Sequence, residues 1–580
     1  MWLIDTHTGR LVPIINPEST KYAILSHTWG AAEEEITLQD FQRDELANFT
    51  PPEGPKAKGF AKIARTCAIA RDRGLDFAWV DTCCIDKTSS AELTEAINSM
   101  FQWYKDAEIC IAYLQDLPPK TDSSLIEAEF PKCRWVTRGW TMQELIAPRE
   151  VEFYDESWEL RGLKSTPAIT QLLAEVTGID AAILRDSTDL DRVPIARRMS
   201  WASTRQTTRV EDEAYCLLGI FNVHMPMIYG EGRKAFLRLQ EEIAKDSGDL
   251  SILAWTTSPE DDTRREAHEN EQRYQGIFAS SPLQFRSARN IKHRIKNFCV
   301  EKEFAVTNRG LKIETALVMD EAGNTLLNLG VSHRDNWGPT NSDGWKGIYL
   351  SKTADGYVRS RPWSLYTAWN RRYLADAPPT IHIRKNVSPA ESKRLERRFA
   401  GGIRVRTRAQ IQQVAPVHLW ELTRRTFMQQ GRGINAWVVV YLPTPSPSSS
   451  MSAGSKPGPT RAIVACSTMG YEVGEPGRPV CTIWVEGQGA WRNALGFLET
   501  RKEIADYVAA DYLTNLVAST QSTKLARSQS RPYVDGSGNE LIITASLSDC
   551  EIEGAPGYCL NIAVEAVEAV KDMEAVEAQV

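Results

Sequence analysis

Two short apolar runs, 22–26 and 77–80, are each followed by polar and aromatic residues whose types are suited to chemistry. The residues are His27, Trp29, Asp81, Asp86 and Lys87. Imidazole and carboxylate groups serve as general acids and bases, while an ammonium group and an indole ring bind anions and bases. The sequence therefore predicts a polar site after these two strands.

A third group of such residues opens a short predicted helix before the run Val151-Glu-Phe-Tyr154. It contains Arg138, Trp140 and Glu144. Because ligands bind beyond the carboxyl ends of parallel strands, we expect the three groups to lie along one rim of a sheet. Simple pairing of these carboxylates with arginines, with the tryptophans covering the core, is the alternative for each residue alone. The convergence of three groups favours a site.

Cys83 and Cys84 lie within the second group and permit another interpretation. With His27 and Asp81, one of them would form a cysteine nucleophile site. Two small buried residues at a strand end explain the pair more simply. No metal site is expected, because there is no Cys-x-x-Cys pair and the eight histidines are dispersed.

The elements that must position these residues alternate between strand and helix over 1–160. Apolar runs at 22–26, 77–80, 109–114 and 151–154 read as strands, and helical periodicity separates them. This alternation predicts an α/β core with a parallel sheet that is covered on both faces. Residues 161–256 read as a helical extension of that core.

After a polar linker at 257–279, residues 280–567 are predicted to form a separate β-rich, sandwich-like domain. Hairpins are expected at 304–315 and 347–358, the second around Asp355-Gly356. Further strands are predicted at 379–385, 402–407, 435–442, 461–466, 480–486, 540–546 and 558–567. Residues 443–459 are rich in proline, serine and glycine and predict a disordered insertion. Residues 568–580 read as an acidic tail.

The overall composition limits the classes of function. The 580 residues carry a formal net charge of −7 at pH 7, so binding of nucleic acid is not expected. No apolar run approaches the roughly 20 residues of a membrane span, and no secretory signal is expected at the start. The eleven scattered cysteines fit a reducing compartment, which predicts a cytoplasmic protein.

Several blocks of the sequence resemble the fungal heterokaryon-incompatibility (HET) domain family. The resemblance extends over about 20–255 and is highly specific. The blocks are Tyr22-Ala-Ile-Leu-Ser-His-Thr-Trp-Gly30, Trp79-Val-Asp-Thr-Cys-Cys-Ile-Asp-Lys87, Arg138-Gly-Trp-Thr-Met-Gln-Glu-Leu-Ile-Ala-Pro148, Arg197-Arg-Met-Ser-Trp201, Thr207-Thr-Arg-Val-Glu-Asp212 and Met225-Pro-Met-Ile-Tyr-Gly-Glu-Gly232.

The resemblance implies a role in self/non-self recognition and programmed cell death when unlike fungal hyphae fuse. It also implies a flavodoxin-like sheet distantly similar to TIR domains, several of which cleave NAD with a glutamate in a Trp-Cys-x-x-Glu-Leu helix. This chain has Trp140-Thr-Met-Gln-Glu-Leu145 there, with threonine in place of cysteine. On this basis no cofactor is required, and NAD is a candidate substrate.

The resemblance and the predicted rim together assign roles to eight residues. Glu144, Asp81 and His27 are the candidate catalytic residues. The candidate binding residues are Trp29, Asp86, Lys87, Arg138 and Trp140. NAD cleavage passes through an oxocarbenium-like transition state, which a carboxylate stabilises.

Two other classes of function remain open at this level. One is a non-catalytic adaptor that self-associates through the HET domain, while the β-rich domain binds an unidentified protein partner. The other is a metabolic enzyme built on the same scaffold.

Deletion of residues 444–459 is a direct test of the predicted insertion. The deletion should leave the melting temperature of the purified protein nearly unchanged, because a disordered segment between neighbouring strands contributes almost no buried surface. A loss of soluble protein on deletion would show instead that the segment is packed.

Overall fold

The computed structural model describes most of the chain in separate ranges. They are 1–42, 49–119, 125–257, 272–293, 304–315, 317–320, 324–333, 344–368, 372–373, 380–397, 399, 401–415, 417–422, 424–428, 434–442, 460–468, 480–488, 491, 527–534, 540–552 and 555–566. The predicted insertion 443–459, the predicted tail 568–580 and most of the predicted linker lie outside these residues.

A seven-stranded sheet forms the centre of the N-terminal region. Its strands are β1 (Trp2–Asp5), β2 (Leu11–Pro13), β3 (Tyr22–His27), β4 (Phe77–Trp79), β5 (Ile109–Tyr113), β6 (Val151–Tyr154) and β7 (Leu160–Leu163). The spatial order is β2-β1-β4-β3-β5-β6-β7. The four strands predicted from the apolar runs are β3, β4, β5 and β6, and they pair in parallel.

The predicted parallel sheet is confirmed in these four central strands, but the structure corrects it at both edges, where the strands are antiparallel. β1, β2 and β7 pair antiparallel with their neighbours, so the sheet is mixed. The connections 6–10 and 155–159 are too short for a crossover, which needs a dozen or more residues, and they permit only hairpins.

Helices cover the sheet and continue through the segment that follows it. They are α1 (Leu38–Gln42), α2 (Lys56–Asp72), α3 (Ser90–Asp106), α4 (Leu125–Glu129), α5 (Arg134–Thr137), α6 (Thr141–Ile146), α7 (Pro167–Thr177), α8 (Ala181–Arg185), α9 (Ile195–Ser200), α10 (Asp212–Tyr215), α11 (Leu218–Phe221) and α12 (Lys234–Asp246). Short 3₁₀ helices lie at Pro17–Ser19, Phe130–Lys132, Ser187–Arg192, Leu250–Leu253, Pro282–Asn290 and Val417–Leu419.

Helix α3 illustrates why these segments are helical. The Glu92 amide donates to the Ser89 hydroxyl at 3.3 Å, which satisfies one free donor at the helix start. The apolar residues then recur at helical spacing on the face that packs on the sheet. The buried ones are Ala96, Ile97, Met100, Trp103 and Tyr104.

The second sheet is β-rich and follows the helical segment. Its strands are β8 (Tyr274–Gln275), β9 (Ile291–His293), β10 (Phe304–Thr307), β11 (Gly310–Glu314), β12 (Val318–Met319), β13 (Thr325–His333), β14 (Trp345–Thr353), β15 (Gly356–Ser360), β16 (Tyr366–Ala368), β17 (Arg372–Tyr373) and β18 (Thr380–Ile383). β10 pairs with β11, and β14 pairs with β15. Both predicted hairpins are therefore confirmed.

Two further sheets form the remainder of the described chain, preceded by α13 (Pro389–Glu396). Their strands are β19 (Ile403–Thr407), β20 (Gln410–Ala415), β21 (Trp420–Glu421), β22 (Thr426–Phe427), β23 (Asn435–Tyr441), β24 (Arg461–Ser467), β25 (Val480–Val485), β26 (Ser528–Val534), β27 (Glu540–Ile552) and β28 (Ala555–Ala566). The orders are β21-β22-β19-β28-β27-β26 and β20-β23-β24-β25. Both sheets contribute to one apolar core, so a β-rich C-terminal region is confirmed.

The buried apolar core does not follow the predicted domain boundaries. The boundaries themselves stay a prediction. One cluster of buried apolar residues extends from Leu3 in β1 to Ile383 in β18. Ile277 and Phe278, which the predicted linker contains, are part of this cluster. The α/β core, the helical extension and the second sheet therefore share a core. Within the described residues, no helix has the length and apolar character needed to cross a membrane.

A single buried arginine joins the second sheet to the helical extension. Arg359 in β15 is fully buried, and its guanidinium lies 3.7 Å from the centre of the Trp255 ring. It donates to the Leu253 carbonyl at 2.7 Å and also to the Trp255 carbonyl. These carbonyls end the 3₁₀ helix Leu250–Leu253, where a cation is favourable. Burial lowers the pKa of Arg359 to about 9.

Substitution of Arg359 by alanine tests this connection. The Arg359→Ala variant should lose about 3 kcal/mol of stability, because two buried carbonyls lose their donor and a cavity forms. Thermal and urea unfolding of the full chain measure the loss. Arg309→Ala in the exposed β10–β11 turn is the matched control and should stay within about 0.5 kcal/mol of the parent. Equal stability of the two variants would contradict the assignment.

Candidate functional site

The candidate site lies at the carboxyl ends of β3 and β4. His27 is the last residue of β3, and Asp81 follows the end of β4 by two residues. The two strands are parallel neighbours, so their ends meet at the same edge of the sheet. This edge is where ligands bind in open α/β sheets.

Four of the predicted site residues form one contiguous group. His27 Nε2 lies 3.1 Å from Asp81 Oδ1, and Trp29 Nε1 donates to Asp81 Oδ2 at 2.8 Å. The Lys87 ammonium lies 3.8 Å from the centre of the Trp29 ring. The Trp29 side chain is 40% exposed, so this group reaches the surface. The structure thus places a carboxylate behind an exposed tryptophan–lysine pair.

Two buried residues that the sequence analysis missed, Lys62 and Glu35, contact this group on the side away from the surface. Lys62 in α2 is buried, and its ammonium contacts His27 Nδ1 at 3.0 Å and Glu35 Oε1 at 2.5 Å. Glu35 also accepts from the Gly30 amide at 2.7 Å. Gly59 allows this packing, because a Cβ atom there would lie 2.2 Å from the Glu34 carbonyl oxygen. The signal in the sequence was a lysine on the apolar face of α2.

The contact with Lys62 fixes the protonation pattern of the His27 ring. An ammonium group only donates, so Nδ1 must be the acceptor. Nε2 then carries the proton and donates it toward Asp81 Oδ1. Asp81 accepts from His27 and Trp29 at once, while Lys87 adds a positive charge nearby. Burial opposes ionisation, but these interactions hold the pKa of Asp81 below its usual value.

Glu144 lies in a second and more deeply buried environment. Its side chain is buried in α6, and Ser26 Oγ donates to Glu144 Oε2 at 2.5 Å. The Trp135 indole donates in turn to Ser26 Oγ at 2.7 Å. Burial raises the pKa of Glu144 to about 8, with a further contribution from the negative charge of Asp81. At neutral pH the group is therefore mainly a neutral carboxylic acid.

The alternative of simple pairing with an arginine does not describe the surroundings of Glu144. Glu144 is not a solvated carboxylate, and its hydrogen bond among the described residues is to Ser26 rather than to an arginine. Arg138 and Arg205 act on it through charge alone, and both lower its pKa.

Helix α6 is held at both ends by cationic side chains that the sequence analysis did not identify, a partly buried arginine and a buried lysine. Arg205 Nη1 donates to the Arg138 carbonyl at 2.7 Å and to Thr141 Oγ1 at 3.0 Å, at the start of the helix. Lys164 donates to the Leu145 carbonyl at 3.1 Å, at its end. Burial lowers the pKa of Lys164 to about 8. These contacts fix the position of Glu144.

The remaining predicted binding residues are engaged in contacts of their own. The Arg138 guanidinium donates to Thr208 Oγ1 at 2.8 Å. The Trp140 indole donates a hydrogen bond to the carboxylate of Asp212, and burial raises the pKa of that carboxylate. Asp86 accepts from Gln39 Nε2 at 2.8 Å and from the Thr88 amide at 2.9 Å. These three residues therefore stabilise the loops around the rim.

The cysteine alternative is not favoured by the surroundings of the pair. Cys83 and Cys84 are both buried, and burial raises the pKa of Cys83 well above its usual value. A nucleophilic cysteine requires the opposite shift. In the part of the chain that the structure describes, no group of three His, Cys, Asp or Glu residues is arranged to hold a metal ion.

Part of this site lies in a segment that matches a known family model. Residues 22–128 match the family model described as heterokaryon incompatibility protein (HET). Strands β3 to β5, Lys62, Asp81 and the rim residues up to Lys87 fall inside this match. The chain therefore contains a HET domain, and the resemblance is confirmed. Residues 234–315 match a model described as a domain of unknown function (DUF8212).

A curated relative agrees with this assignment. The chain is 46% identical over 271 residues to the vegetative incompatibility protein HET-E-1 of Podospora anserina. The match covers 45% of this chain and 18% of the relative, so the chain spans only a small part of that protein. No solved structure matches the chain.

Glu144→Gln tests the neutral state of the buried acid. A pKa near 8 in the folded chain against 4.5 when unfolded means that the folded state binds more protons between these values, so this group makes the parent less stable as pH rises from 4.5 to 8. Glutamine does not titrate. The stability of the variant relative to that of the parent should therefore increase by about 3 kcal/mol from pH 5 to pH 8, at about 1.4 kcal/mol per pKa unit.

Thermal unfolding of parent and variant at both pH values is the measurement. Glu127→Gln, at an exposed position in α4, is the control and should show no pH-dependent difference from the parent. A constant difference between Glu144→Gln and the parent across this range would mean that Glu144 is ionised in the folded protein.

Proposed function

We propose that this chain is an effector of vegetative (heterokaryon) incompatibility, which acts in fungal self/non-self recognition and promotes programmed cell death. The observation that carries the proposal is the HET domain at 22–128 together with 46% identity to a vegetative incompatibility protein. The proposal places the effector site at the rim formed by His27, Asp81 and Trp29, and it places the protein in the cytoplasm.

The strand order supports the position of the site. The parallel strands β3, β4, β5 and β6 take the spatial order second-first-third-fourth. This is the order of the first four strands of a flavodoxin-like sheet, in which ligands bind where the order reverses, beside the first strand. His27 ends that strand, and the neighbouring Ser26 contacts Glu144. A TIR-like relationship is consistent with this order.

The finer proposal is that the rim hydrolyses the N-glycosidic bond of NAD. The bond between ribose C1′ and the nicotinamide nitrogen breaks, and its electron pair leaves with neutral nicotinamide. A water oxygen then bonds to C1′ and gives up a proton, which leaves ADP-ribose. Developing positive charge on the ribose calls for a nearby anion. Asp81 supplies it, because its pKa is low and its two oxygens are held by His27 and Trp29.

Glu144 has a different part in this scheme from Asp81. As a neutral acid it orients Ser26 and adds no competing negative charge beneath the rim. Environments that separate the pKa values of two carboxyl groups are typical of sites with divided roles. Lys87 is positioned for a phosphate of the substrate, and the exposed Trp29 ring for a base. Arg138, Trp140 and Asp86 support the surrounding loops.

The proposed cleavage of NAD requires the negative charge of Asp81. Asp81→Asn keeps the size of the side chain but removes its charge, and it should lower cell killing and NAD loss by about 100-fold or more. Glu144→Gln should retain most of both, because it resembles the neutral acid. The full chain is expressed from an inducible promoter in a fungal host, with viability and cellular NAD measured together. Purified proteins are then incubated with NAD to follow nicotinamide release.

Asp76→Asn is the matched control, since the Asp76 side chain is 75% exposed and pairs with His7 at the surface. It should kill as the parent does. Killing by Asp81→Asn at the parent's level, without NAD loss, would reject catalysis and favour the adaptor, which signals through self-association of the HET domain or a protein partner of the β-rich region. No killing by the parent, with active NAD cleavage, would favour a metabolic enzyme.

A further inference from the structure

A cavity of about 370 Å³ lies beside Gly139, in the turn that precedes α6, and no residue of the Asp81 rim lines it. Its wall combines the segment 202–207 with the start of α12 and the 3₁₀ helix Pro282–Asn290. Gly139 is part of the wall, and a Cβ atom there would lie 2.5 Å from Thr207 Cγ2. The volume falls within the usual range for small-molecule sites.

Three arginines line this cavity, and they are weakly compensated. Arg233 and Arg286 are exposed, and neither makes a hydrogen bond or ion pair with any residue that the structure describes. Arg205 is fixed by its contacts with α6, yet its Nη2 atom is buried without a hydrogen-bond partner among the described residues. Glu213 is the one carboxylate in the wall. The charges of these side chains therefore sum to a positive value.

The rest of the wall is suited to a ligand that carries an apolar part beside its charged group. The Thr204 hydroxyl provides an additional donor, while the hydroxyls of Ser203 and Thr207 donate to the Ser200 and Arg209 carbonyls and can only accept from a ligand. Pro282 and Leu283 form an apolar side, and Leu283 is 58% exposed. Arginine guanidinium groups bind phosphate with paired hydrogen bonds, and apolar surface accepts a ring.

We propose that this cavity binds a small phosphorylated molecule of about mononucleotide size. Arg233 and Arg286 hold the phosphate, and the apolar part of the ligand packs on Pro282 and Leu283. Glu213 weakens binding by repulsion and so limits the affinity for highly charged anions. Through Arg205 and Gly139, the occupied cavity adjoins the turn that carries α6, so a ligand here contacts the support of Glu144 without entering the Asp81 rim.

Isothermal titration of the purified full chain with AMP, pyrophosphate and adenosine tests the proposal. AMP and pyrophosphate should bind, and adenosine should bind at least tenfold more weakly than AMP. Arg233→Ala and Arg286→Ala should each weaken AMP binding tenfold or more. Glu213→Gln should strengthen it several-fold, and a folding defect would not produce such a gain.

Arg192→Ala removes an arginine with an 82% exposed side chain that is not part of the cavity wall, and it should leave AMP affinity within twofold of the parent. Thermal unfolding confirms that each variant is folded. Absence of AMP and pyrophosphate binding would overturn the proposal. Equal affinities of the parent and both cavity arginine variants, or weaker binding by Glu213→Gln, would overturn it as well. The outcome is independent of whether the rim cleaves NAD.

Discussion

The buried ammonium of Lys62 is the interaction on which the candidate site depends. An unpaired charge inside a protein costs several kcal/mol, so a buried lysine must be compensated by groups brought to it. Glu35 supplies the charge and His27 supplies the acceptor nitrogen. Because the ring must accept on one side, it donates on the other, and Asp81 is held in turn. One buried cation therefore orders a strand end, a loop and a helix around the same carboxylate.

The two acidic groups of the rim illustrate how surroundings decide chemistry. Asp81 accepts hydrogen bonds from two donors and lies near the positive charge of Lys87. These interactions outweigh the effect of burial and lower its pKa. Glu144 accepts a hydrogen bond from one hydroxyl and is otherwise buried, so its pKa rises to about 8. The negative charge of Asp81 adds to the effect of burial and raises the pKa of Glu144 further. The ionised form is therefore concentrated on Asp81, which is nearer to the surface.

The HET domain is not packed as an independent unit within this chain. Its core is continuous with the second sheet, and Arg359 completes the hydrogen bonding at the end of the helical extension. The two C-terminal sheets have a core of their own. The second sheet and the helical extension are therefore packed as one unit.

The sequence by itself determined the four parallel strands, the β-hairpins and the residues of the rim. Apolar periodicity and turn residues are local properties, and strand ends meet wherever parallel strands pair. The antiparallel pairing of β1 with β2 and of β6 with β7 could also be predicted from the sequence, since connections of five residues permit only hairpins. Only the tertiary structure decided that Lys62 and Glu35 join His27, and that Glu144 is neutral. Charge pairing and burial depend on neighbours distant in sequence, such as Ser26 and Glu144, which are 118 positions apart, and no local pattern encodes them.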